Sequence, residues 1–183
     1  MGEKPDGENM PQDTTTDESG TSTKGIKAGG GMYLNGGTYQ IDSADDSIHS
    51  NANITIADGT YTLATGDDGV HADDALIVNG GTITVTESYE GLEGLTVTIN
   101  DGTIDITASD DGINTAGEKM ELNGGYIHIL AGGDGVDSNG DLTINGGEIY
   151  IDGPSDNGNS AIDYGDRSSA YVNGGMPVSY THL

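Results

Sequence analysis

Apolar residues recur along most of the chain with a period of about 22 residues. Each period contains three short stretches of alternating apolar and polar residues, rich in β-branched side chains, and this pattern is typical of β-strands. The apolar position of the first stretch repeats at Ile26, Ile48, Val70, Leu92, Ile113, Val136 and Ile162. The equivalent position of the second stretch is filled by Leu34, Ile56, Val78, Ile99, Leu122, Ile144 and Val172. The sequence therefore belongs to a repeat protein rather than to a globular domain with one large core.

An Asn-Gly-Gly corner, or a variant of it, marks every repeat. The corner begins at Asn35, Ala57, Asn79, Asn100, Asn123, Asn145 and Asn173, in steps of 22, 22, 21, 23, 22 and 28 residues. The aligned Asn side chains predict a buried ladder of amide hydrogen bonds from coil to coil. A simpler interpretation is that Asn suits the left-handed backbone of a tight corner. The longer last step predicts a protruding loop at residues 152–160.

Three short strands cannot close a sheet within one repeat. Each strand must therefore pair in parallel with its equivalent in the next repeat, about 4.8 Å away. The chain is predicted to be all-β, a single-stranded parallel β-helix of about seven coils of about 22 residues, with three short strands per coil. The general preference for right-handed crossovers predicts a right-handed coil. By parity, Tyr39 and Tyr61 point inward.

The ends of the chain differ from the repeats. Residues 1–23 are acidic and rich in Ser and Thr, and we expect a disordered linker there. The β-helix is predicted for residues 24–176. Residues 177–183 break the pattern abruptly and are interpreted as a non-native tail outside the fold. Open coil ends are unpaired strand edges that proteins usually cap, so we expect the domain to belong to a longer chain.

Charge and composition exclude several classes of function. The 183 residues include 31 acids and only 5 Lys or Arg, which gives a net charge of −26. Nucleic acid is therefore an unlikely partner, because phosphate binding needs a basic surface. The absence of Cys excludes a disulfide framework and a thiolate zinc site. No apolar run approaches a membrane span, and no signal peptide is visible at the start of the sequence, so an exported protein would be represented here by a trimmed segment.

Stacking the repeats in register aligns acidic residues at the start of each repeat. One column contains Asp46, Asp68, Glu90, Asp111 and Asp134, and the column before it contains Asp45, Asp67, Tyr89 and Asp110. Carboxylates stacked about 5 Å apart repel by roughly 1–3 kcal/mol per pair, and a Ca²⁺ ion with oxygen ligands at about 2.4 Å would fit between them. Such an all-oxygen, Cys-free site favours Ca²⁺ over zinc or copper. We therefore predict that the acids of both columns bind metal; the alternative is plain turn chemistry with carboxylates in water.

A third column points outward from the first strand of each repeat. It reads Lys27, His49, His71, Glu93, Asn114, Asp137 and Asp163. We predict ligand-binding roles for His49, His71, Glu93, Asn114 and Asp137 of this column, and for Tyr89 as a sugar contact. For the two His residues, and for Tyr89, the alternative is an ordinary solvated surface position.

The Asp-Asp-Gly-(Ile/Val)-(His/Asn)-(Ala/Thr) motif followed by Asn-Gly-Gly and Thr-Ile-x-Val/Ile resembles the clostridial family of carbohydrate-binding parallel β-helix domains, whose shape is related to that of pectate lyases. The resemblance covers roughly residues 24–175. It implies an extracellular domain that holds Ca²⁺ at the Asp motifs and binds acidic plant cell-wall polysaccharide. By position, ligands would come from Asp45, Asp46, Asp67, Asp68, Asp110, Asp111 and Asp134. The fourth repeat, with Tyr89 and Glu90, and the sixth, with Gly133 for the first Asp, depart from the motif.

A binding module is favoured over an enzyme. Lyases of this shape are understood to use a Lys or Arg as the base, and this chain has only five basic residues. None lies within the central Asp-rich run, and Lys119 is the least unsuitable candidate. We expect a non-catalytic module, secreted or attached to a bacterial cell surface, that binds acidic glycan through Ca²⁺. A structural or adhesive surface β-helix and, less plausibly, a Ca²⁺-dependent lyase are the alternatives.

Overall fold

A computed structural model describes residues 23–154 and 158–180 and contains strands but no helix. All strand pairs of the described residues are parallel. Most join residues 21–23 positions apart, and the pairs across the last, longer repeat join residues 26 or 28 positions apart. Seven strand segments stack on each of three faces, which makes a β-solenoid of about six turns. This confirms the predicted fold class, whereas its right hand stays a prediction. No helix in the described ranges could span a membrane.

Sixteen strands form the three faces. They are β1 (Ile26–Ala28), β2 (Met32–Ser43), β3 (Ile48–Ser50), β4 (Ile54–Thr65), β5 (Val70–Val78), β6 (Thr82–Glu87), β7 (Leu92–Ile99), β8 (Thr103–Ala108), β9 (Ile113–Leu122), β10 (Tyr126–Ala131), β11 (Val136–Ser138), β12 (Asp141–Ile144), β13 (Glu148–Asp152), β14 (Ile162–Tyr164), β15 (Ala170–Val172) and β16 (Met176–Tyr180). Five of them, β2, β4, β5, β7 and β9, continue around a corner and serve two faces. The predicted three separate strands per coil are thus partly merged, because coil-to-coil pairing continues through these bends.

The core is the stack of inward side chains predicted from the alternation. Ile48, Val70, Leu92, Ile113 and Val136 of the first column all have no exposed surface. Burying an aliphatic side chain of this size contributes roughly 1.5–3 kcal/mol, so a thin core repeated over seven levels can hold the solenoid together. The rings of Tyr39 and Tyr61 stack in parallel, with centroids 4.9 Å apart, as their inward parity predicted.

The Asn column forms the predicted ladder, but on the surface. The Nδ2 group of each Asn donates to the Oδ1 atom of the Asn one coil before it, at 2.7–2.9 Å, from Asn173 through Asn145, Asn123 and Asn100 to Asn79. Most of these side chains are exposed, so the expectation of a buried ladder was wrong. The left-handed interpretation was also wrong, because only glycines adopt positive φ among the described residues; Gly81, two positions after Asn79, has a φ of 92°.

The last described residues continue the solenoid. Residues Met176–Tyr180 form β16, which pairs in register with β13 over five residues. Residues 177–180 therefore belong to the third face, contrary to our exclusion of them from the fold. Residues 1–22, where we expected a linker, residues 155–157 of the expected loop and residues 181–183 lie outside the described part of the chain.

Candidate functional site

The columns predicted from the sequence coincide with real stacks of residues. On the first face, Lys27 pairs with His49, His49 with His71, and the register continues through Glu93, Asn114, Asp137 and Asp163. Backbone hydrogen bonds join the acidic column in the same way, for example from the Ser47 amide to the Asp68 carbonyl at 3.0 Å. We call the surface formed by the acidic columns and the first-face column the acidic ridge.

One carboxylate oxygen of each acidic-column Asp has a structural role that the sequence did not reveal. The Oδ1 atom of Asp46 accepts the backbone amide hydrogen of Asp68 at 3.2 Å, one coil further on. Asp68 does the same for the amide of Glu90 at 3.2 Å, and Asp111 for that of Asp134 at 2.6 Å. These acids therefore join successive coils through one oxygen each.

At the first end of the ridge, a lysine occupies the predicted metal position. The Nζ atom of Lys24 lies 2.8 Å from Asp45 Oδ1 and 2.6 Å from Asp46 Oδ2, and His49 Nδ1 lies 2.7 Å from the same Asp46 oxygen. Burial alone would raise the pKa of Asp46, but the hydrogen bonds from His49 and Lys24 lower it to about 2. The oxygens of Asp45 and Asp46 also lie within 4.8 Å of an oxygen of Asp67. Lys24 thus supplies the positive charge that we predicted for a bound ion at Asp45 and Asp46.

In the middle of the ridge, His71 lies between two acids. Its Nδ1 atom is 3.0 Å from both Asp68 Oδ2 and Glu93 Oε2. Burial opposes the charged ring, yet the hydrogen bonds to these acids raise the pKa of His71 to about 11. His49 is only 7 % exposed, so the alternative of a solvated strand position does not hold for this residue.

Glu90 occupies the position of the second Asp in the fourth repeat, where Tyr89-Glu90-Gly91 replaces the Asp-Asp-Gly motif. Burial, together with the charges of Glu93 and Asp68, raises the pKa of Glu90 to about 8. Its Oε2 atom accepts a hydrogen bond from Asn114 Nδ2 at 3.0 Å. The Oδ1 atom of the same Asn114 amide is buried and has no hydrogen-bond partner among the described residues. An orphaned buried oxygen of this kind can serve as a cation ligand.

Beyond Asn114, the ridge contains a cluster made only of oxygen donors. One carboxylate oxygen each from Asp111, Asp134 and Asp137 lies within 4.8 Å of the other two, and Asp137 is the in-register neighbour of Asn114. Burial and neighbouring carboxylates raise the pKa of Asp111 to about 7 and that of Asp137 to about 6. The acids repel one another, and a bound cation would remove that repulsion.

Gly133 shapes this cluster. A Cβ atom at Gly133 would collide with the Oδ1 atoms of both Asp110 and Asp111. The missing Asp of the sixth repeat, a departure from the motif, therefore leaves the space in which two carboxylate oxygens converge. Two predicted metal ligands, Asp110 and Asp111, thus each place an oxygen where a side chain at position 133 would begin.

Tyr89 lies at the edge of the ridge and is 49 % exposed. A hydrogen bond with Asp110 and the charge of that carboxylate raise the pKa of Tyr89 to about 12. The phenol stays neutral and its ring is accessible, as the sugar-contact prediction requires.

Sequence reasoning missed Asp73, whose Oδ1 atom lies 3.6 Å from Nε2 of both His49 and His71. The sequence feature that could have pointed to Asp73 is that it lies two residues after His71 in the same strand.

A separate open groove of about 670 Å³ follows the glycine corners, away from the acidic ridge. It is lined by backbone of Gly81, Gly102 and Gly125 and by the side chains of Asp101, Tyr126 and Glu148. The Tyr126 ring is 44 % exposed, and its centroid lies 5.5 Å from that of Tyr150. This surface offers an aromatic contact but brings together no cluster of the predicted site residues.

Comparison with known proteins identifies a family. The sequence profile of a protein family described as "carbohydrate-binding domain-containing protein" matches residues 4–69 and 67–176. No curated protein and no solved structure matches the chain significantly. The two matched segments together cover nearly all of the solenoid and more than half of the chain. The chain therefore belongs to this family of carbohydrate-binding domain-containing proteins.

Proposed function

We propose that the solenoid binds an acidic polysaccharide, of the pectin or polygalacturonate type, through Ca²⁺ held at the acidic ridge. The family supports a carbohydrate-binding role. The observation that carries the finer proposal is the oxygen-only cluster of Asp111, Asp134 and Asp137, of which Asp137 is the in-register neighbour of Asn114, whose buried Oδ1 atom has no partner among the described residues. We place the Ca²⁺ site here rather than at Asp45 and Asp46, where Lys24 already binds both carboxylates.

The dimensions of the cluster suit a calcium ion. Ca²⁺ binds six to eight oxygens at about 2.3–2.6 Å, so one ion reaches two oxygens that are up to about 5 Å apart. The three Asp oxygens lie within 4.8 Å of one another. Carboxylate and amide oxygens are the ligands that Ca²⁺ prefers, whereas softer metals favour nitrogen or sulfur. The remaining coordination positions would be open to water or to a sugar carboxylate, because Asp134 and Asp137 are only partly buried.

The net charge explains why an ion is needed for this ligand. A chain with a net charge of −26 repels a polyuronate. A divalent cation that shares its coordination sphere between protein and sugar carboxylates converts this repulsion into attraction. Extracellular Ca²⁺ modules commonly bind with dissociation constants of about 10⁻⁴–10⁻³ M, which fits a secreted or surface-attached protein.

A non-catalytic role is part of the proposal. Lys24 is bound to Asp45 and Asp46, and Lys119 pairs with Glu121 at 2.9 Å on the second face rather than on the ridge. A lyase needs a base next to the Ca²⁺-bound uronate, and neither lysine stands beside the oxygen-only cluster. A structural or adhesive surface role is the second possibility, and it predicts no dependence of glycan binding on Ca²⁺.

The test is binding of the full chain to polygalacturonate in Ca²⁺ and in excess chelator, with microcrystalline cellulose as an uncharged polymer. We expect binding to polygalacturonate in Ca²⁺ alone, and at least tenfold weaker binding for Asp137→Asn. Asp42→Asn, an equal charge change at an exposed position of β2, is the matched control and should bind like wild type. Equal binding with and without Ca²⁺ would overturn the bridging proposal; release of unsaturated sugar products would overturn the non-catalytic one.

A further inference from the structure

Five corners of the solenoid contain the same tripeptide in different surroundings. Asn-Gly-Gly occurs at residues 35–37, 79–81, 123–125, 145–147 and 173–175. An Asn followed by Gly is especially prone to lose its side-chain amide, because glycine has no Cβ atom to hinder attack by its backbone nitrogen on the preceding side chain. The local sequence therefore gives the five Asn residues nearly the same intrinsic reactivity, and the tertiary structure distinguishes them.

The amide ladder holds four of these Asn side chains. Asn123 and Asn145 each donate from Nδ2 to the previous coil and accept at Oδ1 from the next coil, at 2.7–2.9 Å. Asn79 accepts one ladder bond and Asn173 donates one, because these two residues stand at the ends of the ladder. The four side chains thus differ in whether one or two hydrogen bonds hold them.

Asn35, in the first coil, is outside the ladder. The equivalent position of the next coil is Ala57, which has no amide, and the exposed Asn35 side chain forms no hydrogen bond within the described part of the chain. A Cβ atom at Gly36 would meet no described atom within 4 Å. At the glycine after each ladder Asn, it would meet a carbonyl oxygen of the previous coil at 2.5–3.2 Å. The backbone around the attacking nitrogen is therefore packed at the ladder corners and open at Asn35.

We propose that Asn35 is a site of spontaneous deamidation, and that the amide ladder protects the equivalent Asn residues of the later coils. The backbone nitrogen of Gly36 attacks Cγ of Asn35 and loses its hydrogen as the N–Cγ bond forms. The Cγ–Nδ2 bond breaks and releases ammonia. Water then opens the five-membered imide ring and gives aspartate or isoaspartate. The net reaction exchanges ammonia for water and needs no oxidant or reductant.

The ladder slows this reaction because ring closure requires the side chain to turn. Cγ must approach the following backbone nitrogen, and this movement breaks the bonds of Nδ2 and Oδ1 to the neighbouring coils. Each net hydrogen bond corresponds to a roughly two- to tenfold change in population, so two bonds slow the reaction by about fivefold or more. We expect Asn35 to react fastest, Asn79 and Asn173 more slowly, and Asn123 and Asn145 slowest.

The modification adds charge to the first coil. Asn35 is the register partner of Asp58, so the product places a new carboxylate at a corner that already has one. Isoaspartate also lengthens the backbone of β2, at the point where its pairing with β4 is irregular. This corner lies between the second and third faces, away from the acidic ridge, so the inference is independent of the proposed function.

The experiment is peptide mapping by mass spectrometry of the folded full chain during prolonged incubation at pH 8. We expect Asn35 to deamidate at least fivefold faster than Asn123 and Asn145. In concentrated urea, which removes the ladder, the five tripeptides should react at similar rates. Asn157, which precedes Gly158 and lies outside the described residues, is followed in its own peptide. Equal rates at Asn35 and Asn145 in the folded chain would overturn the proposal, as would the same difference between them in urea.

Ala57→Asn extends the ladder to the first coil. Asn100 shows that the corner accepts this residue, because Asp101-Gly102 follows it as Asp58-Gly59 follows Ala57. In both corners the Asp Oδ1 atom accepts the amide hydrogen of the Gly at 2.8 Å. The introduced amide precedes an Asp rather than a Gly, so it adds no rapid site. We expect Asn35 to deamidate at least twofold more slowly in this variant, and an unchanged rate would overturn protection by the ladder.

Asn100→Ala is the reverse test. It removes the single ladder bond of Asn79 and one of the two bonds of Asn123, and leaves both bonds of Asn145 in place. Deamidation should accelerate at Asn79 and Asn123 and stay unchanged at Asn145, which controls for a general loss of stability. Unchanged rates at Asn79 and Asn123 would contradict the proposal, and so would equal acceleration at all three sites.

Discussion

Replacing Asp111 by Asn is expected to change stability in opposite directions with and without Ca²⁺. The Oδ1 atom of Asp111 accepts the amide hydrogen of Asp134, and the amide oxygen of Asn can accept the same bond. The substitution therefore removes a charge but keeps the connection between the two coils. Without Ca²⁺ it relieves repulsion within the oxygen-only cluster, and with Ca²⁺ it removes a charged ligand.

The magnitude follows from the separation of the charges. Oxygens of Asp134 and Asp137 both lie within 4.8 Å of an oxygen of Asp111. Two unit charges at this distance repel by about 0.9–3.5 kcal/mol for effective dielectric constants between about 80 and 20. Partial exposure and partial protonation reduce the expected gain in the free energy of unfolding to about 1–2 kcal/mol. In a domain of this size that gain raises Tm by about 2–8 °C.

The effect should depend on pH. Burial, reinforced by Asp110, Asp137 and Asp134, raises the pKa of Asp111 from 3.8 to about 7 in the folded protein. Because the folded pKa is above the unfolded one, the wild-type chain loses stability as the pH rises from about 4 through 7. The Asn variant lacks this loss, so its advantage should be absent near pH 4 and complete at pH 8.

Thermal unfolding followed by circular dichroism, at pH 4 and pH 8 and in chelator or Ca²⁺, measures all of these effects. Ca²⁺ at about one hundred times its dissociation constant should stabilise the wild-type chain by roughly 2.7 kcal/mol, and the variant by clearly less. Asp42→Asn should follow the wild type in every condition. The reasoning is refuted if Asp111→Asn is less stable than wild type in chelator at pH 8, or if Ca²⁺ stabilises both proteins equally.

Three further substitutions test other parts of the structure. Gly133→Ala places a methyl group against the carboxylates of Asp110 and Asp111 and should weaken Ca²⁺ binding at least tenfold by calorimetry; unchanged affinity would contradict the role of this glycine. Lys24→Met should cost about 1 kcal/mol above pH 4, because Lys24, after His49, contributes to lowering the pKa of Asp46 to about 2, and urea midpoints of the two proteins should converge as the pH falls through 2. Asn100→Ala removes two bonds of an exposed ladder and should cost about 1–2 kcal/mol in urea unfolding, and an unchanged midpoint would show that water replaces them.

The fold and the register could be predicted from the sequence because of how a solenoid is built. When every strand pairs with its equivalent one repeat away, residues about 22 positions apart in sequence become neighbours in space. The partnership of His49 with His71 and of Asn114 with Asp137 therefore followed from an alignment of the repeats. Inward and outward positions followed from the alternation along each strand, as the complete burial of Ile48 and Tyr61 illustrates.

The directions of the side chains could not be predicted in this way. The alignment of the repeats predicted that carboxylates form a column. It did not predict that Asp111 Oδ1 accepts a hydrogen bond from an amide of the next coil, or that Lys24 lies between two acids. Likewise, the Asn ladder formed on the surface rather than in the interior. Each outcome depends on side-chain torsion angles and on contacts between coils, which the one-dimensional pattern does not contain.

The sequence by itself thus determined the solenoid, its period and the identity of the residues in each column, because backbone pairing between equivalent positions leaves little freedom. Only the tertiary structure decided which acids of the ridge pair with a cationic side chain and which form a cluster of their own. It gave Asp45 and Asp46 a lysine partner, left an all-oxygen cluster of Asp111, Asp134 and Asp137, and placed Asp73 near two imidazole rings. These differences between chemically similar acids arise from local packing, where a single missing Cβ atom or a neighbouring cation determines which oxygens converge.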